Sequence, residues 1–124
     1  RRQRQMCIRD SYSTACDMAV ILHAAMENEI CKKVLSARNY TTSCTQQHPQ
    51  GITFSSKFLN RIDRKFGKGK VVGAKTGYVN QSRYCAVSMY ESEANNKYIC
   101  VTGMAGKAWQ TVYDHIAFYQ NYCK

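Results

Sequence analysis

The chain has 124 residues, 44% of them apolar, and a formal net charge of +10, which limits it to one small domain and excludes a disordered chain. Arg1, Arg2, Arg4 and Arg9 against Asp10 place +3 of that charge in the first eleven residues, and residues 12–124 carry the remaining +7, with the basic side chains spread from Lys32 to Lys124. Diffuse basic charge favours anionic partners in general, whether nucleic acid, acidic lipid or wall polymer, but no nucleic-acid recognition motif accompanies it here.

No apolar run approaches the roughly 18 to 20 residues that span a bilayer, and the first residues lack the apolar core of a signal peptide, so any export signal is expected outside this stretch. The seven cysteines (Cys7, Cys16, Cys31, Cys44, Cys85, Cys100 and Cys123) form no C-x-x-C pair and no close Cys/His cluster. No metal site and no cofactor is expected from that spacing. Two readings of the thiols stand: disulfides between some of them in an oxidising compartment, or free thiols packed as small hydrophobes.

Residues Arg1 to Ser11 are basic, carry no periodicity and join abruptly to a helix start. They look foreign to the rest of the chain and resemble read-through of adapter DNA, so residues 1–11 are expected to be non-native and 12–124 to be the domain. Thr14 with Asp17 three residues on fits a capping box, and Met18, Ile21, Leu22 and Ala25 place one apolar stripe on the helix that begins there. His23 lies off the stripe and reads as a surface residue. A second, shorter helix is predicted over Ile30–Ala37, with Ile30 and Val34 on its apolar face and Lys32 and Lys33 in solvent.

Arg38 to Gly51 is polar and turn-rich, a long surface connection holding Thr41, Thr42, Thr45 and His48. Thr53 and Phe54 suggest a short strand, and Phe58, Leu59, Ile62 and Phe66 one or two helical turns with Lys57, Arg61, Arg64 and Lys65 outside. Gly67-Lys68-Gly69-Lys70 reads as a turn, its glycines wrongly spaced for a phosphate-binding loop. Val71 to Tyr78 is then a strand. Period-2 alternation gives Val72, Ala74 and Thr76 one face and Val71, Gly73, Lys75 and Gly77 the other. Lys75 and Thr76 therefore point apart, and both can serve one ligand only from an edge strand with the ligand lying along its free backbone.

A loop over Val79–Arg83 leads to a strand over Tyr84–Tyr90, whose Cys85, Val87 and Met89 share a face; a polar turn at Asn95-Asn96 leads to another over Tyr98–Met104. These form an antiparallel hairpin. Tyr84, Ala86, Ile99 and Val101 are expected on the second face, so helices must cover both faces of the sheet. Trp109, Val112, Tyr113, Ile116, Tyr119 and Cys123 trace the core stripe of a last helix, and His115 in it takes a structural role.

The segments Tyr12-Ser13-Thr14-Ala15-x-Asp17-Met18-Ala19 and Gly73-Ala74-Lys75-Thr76-Gly77-Tyr78, in that order and followed by a hairpin and a helix, resemble the serine-type D-alanyl-D-alanine carboxypeptidases. These are low-molecular-mass penicillin-binding proteins related to class A β-lactamases. The resemblance runs from about Tyr12 to the end, with Cys16 where the family usually has a basic residue. It implies an α+β fold of the β-lactamase/transpeptidase-like type, an antiparallel sheet flanked by helices. The family's catalytic set is S-x-x-K, S-x-N and K-T-G, and of these the sequence contains only Lys75-Thr76-Gly77.

By the same resemblance, Lys75 would stabilise negative charge and help proton transfer. Thr76 would hydrogen-bond the substrate's terminal carboxylate beside Gly77, and the Tyr78 backbone N–H would be one oxyanion-hole donor. The partners implied are peptidoglycan D-Ala-D-Ala peptides and β-lactams, in the extracytoplasmic bacterial cell envelope, with no nucleic acid and with membrane contact only through segments outside this one. The absence of the other two motifs implies a C-terminal piece of the catalytic domain, inactive alone. The competing readings are a non-catalytic D-Ala-peptide binding module, a class A β-lactamase-like hydrolase and a basic nucleic-acid binder.

Overall fold

A computed structural model describes residues 12–63 and 69–123. The expectations for Arg1 to Ser11, and for Arg64, Lys65, Phe66, Gly67 and Lys68, lie outside the described residues. In chain order the elements are α1 (Ala15–Glu27), α2 (Glu29–Ser36), β1 (Asn39–Thr41), β2 (Thr53–Ser55), α3 (Lys57–Asp63), β3 (Lys70–Val79), β4 (Arg83–Glu91), β5 (Lys97–Ala105) and α4 (Ala108–Tyr122). β3, β4 and β5 form an antiparallel sheet in that order, and β1 pairs with β2 in a small antiparallel ribbon. The fold class is α+β, an antiparallel sheet with helices on both faces.

The start of α1 is the predicted capping box. The Thr14 hydroxyl accepts from the Asp17 N–H at 3.1 Å and the Asp17 carboxylate accepts from the Thr14 N–H at 3.1 Å. These bonds to Thr14 hold the Asp17 carboxyl below its usual range. Asn28 caps α2, its Oδ1 accepting from the N–H groups of Ile30 and Cys31. The apolar faces of both helices are rotated from the expected ones. Leu22 and Met26 of α1 are buried and Leu35 of α2 packs against them, whereas Ile21, Ile30 and Val34 are exposed. α1 lies against β4 and β5 and α2 against β3, so the inward line on α1 runs through Leu22 and Met26, one position round from Ile21.

Two clusters fill the two sides of the sheet. On one, Leu22, Met26, Val87 and Met89 pack with Val72, Ile99 and Val101. On the other, Phe58, Leu59 and Ile62 of α3 and Val112, Ile116 and Tyr119 of α4 pack with Val71, Ala86 and Tyr90. Ile99 and Val101 thus join Val87 and Met89, which they face across the β4–β5 pairing, and leave the Ala86 side on which alternation had placed them. A register shift between Val71 and Gly73 corrects the alternation of β3 as well. Val71 faces the α3/α4 side with Ala74, and Val72 the α1/α2 side with Gly73. From Gly73 onward the expected alternation holds. A Cβ on Gly73 would stand 2.7 Å from Met26 Sδ, so the glycine lets α1 come close to the strand.

Arg38 ties the pieces around β3. Its guanidinium donates to the Val71 carbonyl at 2.7 Å, to the Ser36 carbonyl at 2.8 Å and to both carboxylate oxygens of Asp63 at 2.8 and 3.0 Å. The stretch expected to be loop contains β1, held across Asn39–Ser55, Tyr40–Phe54 and Thr41–Thr53, with the two threonine hydroxyls 2.8 Å apart. In α4 the stripe turns inward through Thr111 and His115 in addition to Val112, Ile116 and Tyr119, while Trp109 and Tyr113 remain about 40% exposed. The Arg61 guanidinium explains their position: it lies 4.2 Å from the Trp109 ring centroid and donates to the Tyr113 hydroxyl at 3.2 Å.

Candidate functional site

β3 pairs with β4 alone among the described strands, so it is an edge strand; side chains rather than a strand reach its backbone, Arg38 at the Val71 carbonyl and Lys75 at the Thr76 carbonyl. Lys75 lies opposite Val87 and Thr76 opposite Ala86. Directly opposed residues share a face, and Val87 and Ala86 belong to different clusters. Lys75 therefore leaves the strand on the α1/α2 side and Thr76 on the α3/α4 side. The Lys75 ammonium nevertheless turns back to the Thr76 carbonyl. Gly77 is open, a Cβ there meeting nothing within 4 Å.

Beside Thr76 lies a cleft of about 610 Å³. Thr76, Gly77 and Tyr78 form its β3 wall, and the first turns of α3 and α4 contribute Lys57, Phe58 and Trp109. Tyr78 and Tyr84, opposed across the strands with ring centroids 4.6 Å apart, both line it, and the Tyr78 hydroxyl donates to Asn80 Oδ1 at 3.2 Å. Of the residues singled out from sequence, Thr76, Gly77 and Tyr78 line the cleft, while Lys75 sits on the other side of the strand. The sequence reading missed Lys57, assigned to solvent, and Trp109, assigned to the core. An aromatic at the first turn of a helix facing a K-T-G strand is a signal only once the two elements are known to meet.

Ser55 Oγ donates to Asn39 Oδ1 at 2.8 Å and Ser56 Oγ accepts from the Leu59 N–H at 3.4 Å, so neither serine of the cleft bonds a lysine or histidine that would activate it. A Ser–His pair does exist elsewhere: Ser88 Oγ lies 2.6 Å from His115 Nδ1 and 2.7 Å from the Tyr119 hydroxyl, with Thr102 Oγ1 3.0 Å from His115 Nε2. Ser88 and His115 are fully buried between the sheet and α4, so no substrate reaches them. Burial pushes the His115 imidazole down from its ordinary 6.5 to about 4 and the Tyr119 phenol up, so both are neutral near pH 7. The six described cysteines are unpaired, and burial raises the Cys100 thiol to about 12. Among the described residues no group of three His, Cys, Asp or Glu side chains is placed to hold a metal, and no helix is long and apolar enough to cross a membrane.

With this geometry in view, the chain is similar to a solved structure described as the crystal structure of D-alanyl-D-alanine carboxypeptidase from Mycobacterium tuberculosis H37Rv. The TM-score is 0.60 and the identity 18%, over 90% of this chain and 42% of that one. The fold is shared. At that identity the likeness is one of fold, and the chain spans under half the length of the protein it superposes on. No protein-family model matches the sequence and no curated protein matches it.

Proposed function

We propose that this chain supplies the K-T-G wall of the active site of a serine-type D-Ala-D-Ala carboxypeptidase. Such an enzyme acts on peptidoglycan stem peptides through an acyl-enzyme in the bacterial cell envelope. The observation that carries the reading is Lys75-Thr76-Gly77 on an edge strand beside an open cleft, in a fold shared with a carboxypeptidase. A peptide laid along the free edge of β3 meets main-chain donors and acceptors there, and it can touch side chains from both faces. That removes the difficulty of Lys75 and Thr76 pointing apart.

In this reading Thr76 hydrogen-bonds the terminal carboxylate, and Lys75 stabilises negative charge and assists proton transfer. The Tyr78 backbone N–H is one of two oxyanion donors, and Gly77 keeps the approach open. Loss of one oxyanion donor costs about 10²–10³ in rate, and the second donor belongs with the nucleophile. S-x-x-K and S-x-N occur nowhere in the 124 residues, so the nucleophile comes from other sequence and the chain alone is inactive.

A fluorescent penicillin should leave the 124-residue chain unlabelled and label the complete reading frame covalently. Titration of the isotopically labelled chain with an acetylated tripeptide ending in D-Ala-D-Ala should move the amide resonances of Thr76, Gly77 and Tyr78. A complete frame that binds the peptide yet takes no label would instead be a binding module. Labelling of the isolated chain, stopped by Lys75→Ala, would sink the assignment of the nucleophile to other sequence.

A further inference from the structure

The proposed substrate ends in a carboxylate, and Thr76 offers it only a neutral hydroxyl. An anion taken partly out of water needs a cation or several donors close by. Lys75 leaves β3 on the opposite face and its ammonium is turned to the Thr76 carbonyl. On the Thr76 side, Lys57 is the only charged residue among the described residues lining the cleft. Its ammonium makes no hydrogen bond or ion pair with any described residue, and the Thr76 hydroxyl is likewise without a partner among them. Of the cleft's other serines and threonines, Ser55 donates to Asn39, Thr111 Oγ1 donates to the Ala108 carbonyl at 2.7 Å, and Ser56 accepts from the Leu59 N–H. Arg61 stands behind the Trp109 ring and is held by the Tyr113 hydroxyl, so it adds positive potential without presenting a fork to the cleft.

We infer that Lys57 and Thr76 together form a carboxylate clamp, with Lys57 the charge that selects ligands having a free C-terminal carboxylate. This rests on the carboxypeptidase reading and adds to it a residue that the K-T-G motif does not contain. Trp109 and Tyr78, 40% and 55% exposed, supply apolar surface beside the clamp for the terminal alanine methyl. The ammonium, on a flexible stem, provides a point charge, and the hydroxyl fixes one oxygen. Because Lys57 is exposed, its contribution is that of a partly screened pair.

The test uses the 124-residue chain with an acetylated tripeptide ending in D-Ala-D-Ala, as the free acid and as the C-terminal amide. Wild type should prefer the acid by roughly three- to tenfold, a preference that shrinks with added salt. Lys57→Gln should remove the preference, so that the acid binds no better than the amide. Lys57→Arg should retain it, and Lys33→Gln, on the far surface of α2, should alter nothing. A Lys57→Gln chain that keeps the wild-type preference would overturn the clamp and leave the carboxypeptidase reading standing. A wild-type chain that binds neither peptide would overturn both.

Discussion

At the scale of single residues, the candidate site depends on a side chain that never touches it. Arg38 comes directly after α2 and spends four of its five N–H donors on Ser36, Val71 and Asp63, joining the end of α2, the end of α3 and the β3 backbone. Two of its acceptors are main-chain carbonyls that would otherwise lose this partner, and the planar fork matches the Asp63 carboxylate bidentately. Arg38→Met should therefore lower the free energy of unfolding by about 2 kcal/mol, read as a shift of the urea midpoint at unchanged slope. Arg38→Lys should recover little of it, because an ammonium cannot make the fork. Full recovery by lysine would show that charge alone, and not the geometry of the clasp, holds β3 in place. Nothing local marks Arg38 in the sequence, where it opens a polar stretch that reads as loop. Its partners lie as far as 33 positions away and become visible only in three dimensions.

Among the elements, what was legible is what is coded locally. The Thr14/Asp17 box, the Asn95-Asn96 turn and the alternation of β4 from Ala86 to Tyr90 depend on residues a few positions apart, and each is where the sequence puts it, whereas a register shift between Tyr84 and Ala86 separates Cys85 from the Val87 and Met89 cluster. Asn95 even takes the left-handed conformation such a turn asks for, φ 60°. The misplacements share a different cause. A register shift at Val72 leaves no trace in a run of small apolar residues, so the faces of Val71 and Val72 were exchanged. The orientation of α1 and α2 is fixed by β3, β4 and β5, and propensity could not tell Ile21 from Leu22 as the inward residue. Ser88, His115 and Thr102 share no motif, and they form a network only when β4, β5 and α4 come together. Because the α1 cap is local and exposed, Thr14→Ala should cost about 1 kcal/mol. Hydrogen exchange should accelerate in the first turn of α1 first, with β4 and β5 little affected. A uniform loss of protection would mean that α1 folds only with the sheet as one unit.

At the scale of the whole molecule, the sheet is a partition with an apolar layer on each side, and the layer under α4 contains the buried polar network. The network is stable while His115 is neutral, with Ser88 on Nδ1, Thr102 on Nε2, and the Tyr119 hydroxyl donating to the Ser88 carbonyl at 2.9 Å. Burial drives its proton off; nearby Asp114 and a backbone bond to Ala86 oppose this more weakly, leaving the imidazole at about 4 against 6.5 for the ordinary group. Between those two values the unfolded chain binds a proton that the folded chain refuses, so stability rises with pH across that window. The contribution is fully present above about pH 6.5 and declines as the pH falls towards 4, by on the order of 3 kcal/mol in all. Urea unfolding at about pH 7 and about pH 4.5 should show that loss in the wild-type chain. In His115→Gln, which is less stable near neutral pH because it disturbs the network, the difference between the two pH values should largely vanish. The capped carboxyl of Asp17 adds its own loss only at lower pH, since its pKa lies below the ordinary carboxylate value, so the two effects separate along the pH axis. Equal pH dependence in wild type and variant would show that water reaches His115 and that the layer beneath α4, which carries Trp109 to the cleft, is not closed.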